Sequence, residues 1–199
     1  MHALITYLLS AMLAWAPPSD HDYYAQRQDT VERYESIAKD IADVAMDPNE
    51  PPLFGGPQGR AQTALFVTSI AFYESGGYRR DVDAGDGPRS RGDGGRSWCI
   101  MQINIGRGMT AEQWSGRDLV LDRHKCIRAG LARIRESFSL CHSLPLIDRL
   151  SGYTKGRCTP DEDLSHRRLR RAVQWWTAHT FDADEGEREQ AMGPMPGAL

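Results

Sequence analysis

The sequence predicts a mainly α-helical fold with one small β-hairpin, and three observations carry that prediction. Apolar residues recur at helical spacing in several segments. Helix-start and helix-stop residues bracket those segments. One stretch rich in Gly and Asp, 81–96, leads into a short run of strand-like residues, 97–105, where a loop or small hairpin fits.

Ala3 to Ala16 form an apolar run without a charge, followed at once by Pro17 and Pro18. The run is too short to span a bilayer as a helix. Its length suits the apolar region of a secretion signal, and Ala14-Trp15-Ala16 is an A-x-A cleavage pattern, but no basic residue precedes it. The alternative is a buried or membrane-surface helix that the mature protein keeps. Tyr34, Ile37, Ile41 and Val44 then place an amphipathic helix over Thr30–Met46, with Asp29 and Glu32 as a capping box. Residues 47–59 concentrate Pro and Gly, which marks a linker and makes residues 1–46 an accessory segment.

Arg60 to Glu74 carry apolar residues nearly all round a helix, as in the middle of a core, and Gly76-Gly77 ends it. Past the hairpin, Thr110 and Gln113 form a capping box for a short helix. Ile127, Leu131, Ile134 and Phe138 make the buried stripe of a longer one. A further segment near Leu144–Leu150 leads into Gly152-Tyr153. Thr159-Pro160-Asp161-Glu162 reads as the start of a last helix that ends near Ala178. The main domain is therefore placed at 60–180. The remainder, 181–199, turns acidic and then Gly/Pro-rich, as disordered or partner-dependent tails do.

The 199 residues hold 24 Lys+Arg against 27 Asp+Glu, a formal charge of −3, so the chain lacks the positive field of a nucleic-acid-coating protein. No repeat is visible, which excludes solenoids. Four Cys, at 99, 126, 141 and 158, allow two disulfides in any of three pairings.

Glu74 is the residue with the clearest chemical promise, because a carboxylate ends the most apolar helix. Partial burial and the negative end of the helix dipole both raise its pKa, with Arg79 and Arg80 placed to oppose the shift. A carboxylic acid still protonated near neutral pH is what protonation of a glycosidic oxygen requires.

Glu74-Ser75 at the end of a buried helix, a Gly-rich loop, then Ser97-Trp98-Cys99-Ile100-Met101-Gln102-Ile103-Asn104 and later Tyr153-Thr154-Lys155-Gly156 resemble the catalytic core of lytic transglycosylases and goose-type lysozymes. The likeness covers about residues 60–178 and departs from the family pattern twice. Cys99 stands where the family usually has Gly, placing a side chain near the cleft floor to narrow a subsite or anchor a disulfide. Thr154 stands where it usually has Asn. The resemblance implies a lysozyme-like α+β domain whose cleft lies beside the hairpin, with no cofactor and no metal. It implies Glu74 as the catalytic acid, which then deprotonates the sugar's own 6-hydroxyl to give a 1,6-anhydro end on peptidoglycan glycan strands. Gln102, Asn104 and Tyr153 match cleft-lining, substrate-binding positions, and Ser75 and Met101 match positions that support its wall and floor.

A hydrolase needs a second carboxylate to position water. Asp81, Asp83, Asp86 and Asp93 are the candidates, although Asp beside Gly is also ordinary turn chemistry. Their spacing does not fit a calcium loop. Arg167, Arg168, Arg170 and Arg171, followed by Trp175 and Trp176, read as a solvated basic face beside a core-facing indole rather than as a patch that contacts an anionic polymer such as peptidoglycan or nucleic acid. Cys141 and Cys158 flank the Tyr153 motif and suit one bridge, leaving Cys99 with Cys126; two bridges point to export, to the periplasm or cell envelope. The competing functions are a hydrolytic lysozyme of the same fold, and a phage virion or structural protein that uses the fold for assembly or wall binding. In the latter, residues 3–16 would meet a membrane surface, a virion or a secretion machine.

Overall fold

The computed structural model describes residues 1–19, 24–87, 89–106, 108–160 and 162–181. It is mainly helical, as predicted. The elements are α1 (His2–Trp15), α2 (Tyr24–Met46), α3 (Gly59–Ser75), α4 (Arg80–Asp83), β1 (Ser97–Trp98), β2 (Ile103–Asn104), α5 (Gly116–Leu121), α6 (Arg123–Leu140), a 3-10 turn (Leu146–Asp148), α7 (Ser151–Lys155) and α8 (Leu164–Ala178). The tail predicted over 181–199 lies outside the described residues apart from Phe181.

Helix α3 is the centre of the fold. It contacts α1, α2 and α8, and Ala61, Thr63–Ala71 and Ser75 along it are all buried. Such a helix has no polar face to turn to water, so it forms only where other helices surround it. Two of those helices come from the segment expected to be accessory. Leu4, Leu8, Ala11 and Met12 of α1 and Ile37, Ile41 and Val44 of α2 are buried in the same hydrophobic core as Phe66 and Ile70 of α3. The apolar run at residues 3–16 is thus a core helix in this fold, and no helix among the described residues is long and apolar enough to cross a membrane.

The expected linker is pinned to the core as well. Arg60 at the start of α3 donates to the carbonyls of Ala45, Asp47 and Glu50 at 2.9, 2.7 and 2.9 Å. Glu50 accepts from Arg135 on α6 at 2.5 Å. One guanidinium therefore satisfies carbonyls that the prolines leave without partners in a helix or sheet.

Several boundaries differ from the sequence reading. Helix α2 starts at Tyr24 rather than Thr30, so Asp29 lies inside it, where it pairs with Arg80. The capping box predicted at Thr110 is a turn, in which the Thr110 N–H donates to the Trp114 carbonyl, the Thr110 hydroxyl accepts the Trp114 N–H, and Gln113 takes a φ of 65°. The true box lies five residues on, where Ser115 and Asp118 cap α5 reciprocally. Helix α8 begins at Leu164 instead of following Thr159, with no side-chain cap at Asp163. Its end at Ala178 matches, as do the stripe on α6 and the stop of α3, where Gly76 takes the left-handed φ of 65°. Strands β1 and β2 form the expected hairpin, Ser97 opposite Asn104 and Trp98 opposite Ile103.

Both disulfides match the pairing inferred from position: Cys99–Cys126 ties the hairpin turn to α6, and Cys141–Cys158 closes the chain around α7. Arg123 on α6 pairs with Asp83 of α4 at 3.0 Å and with Asp40 of α2, so three elements meet on one guanidinium.

Two outcomes follow from this packing. Leu8→Ala should lower unfolding free energy by about 2–5 kcal/mol, the range for a buried Leu, in urea titrations followed by circular dichroism; an unchanged midpoint would separate α1 from the core. Replacing both Cys141 and Cys158 by Ser should cost about 3 kcal/mol in the same assay, by the loop-closure argument for a loop of this length.

Candidate active site

A cleft of about 780 Å³ opens beside the hairpin, with Glu74 at its base and Gln102, Asn104, Asp93, Tyr153 and Arg168 among the residues that line it. Five parts of the fold build it: Glu74 comes from the last turn of α3, the hairpin and its preceding loop form one wall, α6 and α7 form the opposite wall, and α8 closes the back.

Helix α7 reaches its place because residue 152 is Gly. A Cβ there would lie 2.7 Å from Ser137 Oγ and 3.2 Å from Cys141 Sγ, both on or next to α6. The Ser137 hydroxyl donates to the Arg149 carbonyl at 2.6 Å and accepts the Tyr153 N–H at 2.9 Å. Tyr153 is thereby aimed across the cleft, and its phenol donates to the Met101 carbonyl at 2.7 Å. Burial, then the nearby Glu74 charge, hold that phenol well above its ordinary pKa, so it stays protonated.

The hairpin turn departs from ordinary backbone geometry at two non-glycine residues, Cys99 with φ 60° and Gln102 with φ 47°. Left-handed backbone costs an L-residue about 1–2 kcal/mol, which gives a physical reason for Gly in the related motif at position 99. Cys99 is buried and bonded to Cys126, so its side chain turns to α6 and does not narrow the cleft. Gln102 braces the wall: its Oε1 accepts the Gly92 N–H at 2.7 Å, and its Nε2 donates to the Ser90 and Cys99 carbonyls, each at 3.0 Å. The amide predicted to touch substrate is committed to the backbone of the wall.

Ser75 and Met101, matched to the wall and floor of the cleft, are not among the residues that line it. Ser75 is 2% exposed, and its hydroxyl donates to Ala71 O and accepts the Tyr78 N–H, so it sets the turn after Glu74. Met101 is fully buried and packs under Gly130. Asn104 does line the cleft, and its amide donates to Asp93 at 3.0 Å.

Of the four loop aspartates, only Asp93 lines this cleft. Asp81 pairs with Arg79, and Asp83 pairs with Arg123; Asp86 is not among the residues that line it. The Ser97 hydroxyl at 2.6 Å, followed by Asn104, holds the Asp93 carboxyl below the usual carboxylate range. Asp93 is therefore an anion at neutral pH.

Glu74 is perturbed in the opposite sense. Burial pushes its carboxyl above the ordinary value; the Arg168 guanidinium opposes that by charge and hydrogen bonding, and the Asp93 charge adds to the rise. Arg79 and Arg80, expected to oppose the shift, are paired elsewhere, with Asp81 and Asp29. Arg168 is the residue the sequence reading missed. Its Nε and Nη2 both donate to Glu74 Oε1, at 3.1 and 2.7 Å, and its side chain is 9% exposed. Glu74 Oε2 takes no hydrogen bond among the described residues and is not sealed from the cleft, so it is the oxygen free to carry a proton toward a ligand. A usable signal existed in the sequence: Ser165, Arg168 and Ala172 lie three and four apart, one face of α8 with small residues on either side of a single cation.

Asp40, Asp43 and His124 bring potential metal ligands within 4.8 Å of one another away from the cleft, but Arg123 and Lys39 already pair with those carboxylates. The chain matches no protein-family model, no curated protein and no solved structure.

The opposition of burial and Arg168 predicts a titration. Replacing Arg168 by Gln removes the lowering charge and should raise the Glu74 pKa further, whereas Lys should move it less. Carbon-13 NMR of the Glu74 carboxyl checks both. Because Glu74 holds its proton more tightly folded than unfolded, its contribution to stability is full below the ordinary carboxylate pKa and is lost as pH rises through the folded value.

Proposed function

We propose that the protein cleaves the β-1,4 bond between N-acetylmuramic acid and N-acetylglucosamine in peptidoglycan, by lytic transglycosylation, within a lysozyme-like fold exported to the cell envelope. The observation that carries the reading is the state of Glu74: a carboxyl raised by burial, with one oxygen anchored and the other open at the base of a polar cleft. Its order in the chain relative to the hairpin and Tyr153 is that of the lytic transglycosylases described above.

In this reading Glu74 Oε2 gives its proton to the glycosidic oxygen as the C1–O bond breaks and positive charge develops on the sugar ring. Arg168 then faces a full carboxylate on Oε1 and stabilises it. That carboxylate removes the proton of the muramic acid 6-hydroxyl, whose oxygen bonds to C1, and Glu74 is protonated again. Water does not enter, and no second carboxylate takes a proton.

Asp93 favours a second reading. Two carboxyls in one cleft, one raised and one lowered, are the usual division between general acid and ionised partner. If Asp93 positions a water, the same cleft hydrolyses the bond and leaves a reducing end. A virion or structural role would need neither state of Glu74.

Purified sacculi digested with the protein should release muropeptides with 1,6-anhydro ends, identified by mass. Glu74→Gln should reduce release at least about 100-fold, the lower range for loss of a general acid. Reducing ends would assign hydrolysis and Asp93. Release that survives Glu74→Gln would overturn both enzymatic readings.

A further inference from the structure

A second concavity, about 470 Å³, lies on the other side of Tyr73 from the cleft, between α1, α3 and α8. Arg167, Arg170 and Arg171 line it together with the rings of Trp15, Tyr73 and Trp175. No carboxylate lines it among the described residues. This is the basic face that the sequence reading assigned to solvent.

Its construction differs from that of a solvated helix face. Arg171 is held in place: its guanidinium carbon lies 4.0, 5.0 and 5.4 Å from the ring centres of Phe72, Tyr73 and Trp15, and its Nε donates to the Tyr73 hydroxyl at 3.1 Å. A guanidinium fixed over aromatic faces keeps its outer N–H groups directed at whatever enters. Arg167 and Arg170 stand exposed at the edge. The wall is equally rigid, since Trp175 stacks on His179 at 3.7 Å and meets Trp15 edge-on at 5.9 Å. The Trp175 indole N–H is buried with no acceptor among the described residues, where buried donors are ordinarily satisfied.

Tyr73, in the lining of this pocket, adjoins the cleft through Arg168, the partner of Glu74: its ring has Arg168 at 5.3 Å and Arg171 at 5.0 Å. The side chains of Arg168 and Tyr73 stand between Glu74 and Arg171. In peptidoglycan each muramic acid bears a peptide stem rich in carboxylates. An extended stem of four residues reaches roughly 13 Å.

We infer that the pocket behind Tyr73 binds the carboxylates of the peptide stem, so that the enzyme reads peptide and glycan together. The inference rests on the proposed cleavage of peptidoglycan for its choice of ligand. A phosphodiester polymer would also meet three cations, but the net charge of −3 opposes a long polyanion, and the position beside the cleft suits a short branch.

The test uses the full chain carrying Glu74→Gln, so that nothing is cleaved, and titrates it with the free tetrapeptide L-Ala-γ-D-Glu-meso-diaminopimelate-D-Ala while following tryptophan fluorescence. Saturable quenching is expected, weakened about tenfold when Arg167 and Arg170 are both changed to Gln, the size of one lost charge-assisted hydrogen bond. It should also weaken with salt. Both arginines are exposed, and circular dichroism confirms that the double variant folds. Absence of saturable binding, equal binding by the double variant or by a tetrapeptide with amidated carboxyls, or tighter binding of a thymidine decanucleotide would each overturn the inference. The titration needs no turnover. Sacculus cleavage with no tetrapeptide binding defeats the pocket alone, and binding without cleavage defeats the enzymatic reading alone.

Discussion

The contact between Glu74 and Arg168 is the interaction on which the rest of the site depends. A guanidinium and a carboxyl group removed from water at the end of an apolar helix are costly unless each meets the other with good geometry, and breaking a buried pair by removing one partner is strongly destabilising, by about 3–5 kcal/mol where both are charged. The two donors of Arg168 converge on one oxygen of Glu74. That fixes the carboxyl plane, sets which oxygen is open, and locks α8 against α3. The lock is reinforced from the backbone, where the Ser69 hydroxyl donates to the Arg168 carbonyl at 2.7 Å. Chemistry and helix packing are here the same contact, so the geometry of the acid follows from the way the core is assembled.

The parts of the fold that local chemistry decides were readable from the sequence. A glycine after the last turn of α3, a four-spaced stripe on α6, strand-like residues after a Gly-rich loop and cysteines flanking one motif each carry their meaning within a short window. What could not be read depends on distant partners. The apolar run at residues 3–16 looks the same whether it is a secretion signal or a core helix, and only the unfilled surface of α3 decides in favour of packing it inside. Thr110 and Gln113 have the residues of a capping box, but Thr110 instead closes a turn, while Ser115 with Asp118 starts the helix. Arg168 differs locally from Arg167 and Arg170 only in the small residues Ser165 and Ala172 on its face of α8, and the partner that holds it is a carboxylate 94 residues away.

The site residues divide along the same line. Glu74, Tyr153 and Asn104 were placed at the cleft by their motif, and the structure brings them there. Ser75 and Met101 belong to the same motif and serve it from behind, one by turning the chain after the acid and the other by filling the space under Gly130 and lending its carbonyl to Tyr153. A motif of adjacent residues therefore mixes groups that face the cleft with groups that hold it up, and only burial separates them.

The brace made by Gln102 has a consequence for binding. Residues 81–96 hold five glycines, and a chain of that composition would ordinarily have to surrender a great deal of conformational entropy each time a ligand ordered it. One amide, itself seated in left-handed backbone and anchored through the neighbouring disulfide, ties Ser90, Gly92 and Cys99 together before anything arrives. The ordering is done during folding, once, and is not repeated at each encounter. Whatever enters the cleft meets a preorganised wall, so less of its contact energy is spent on ordering the protein.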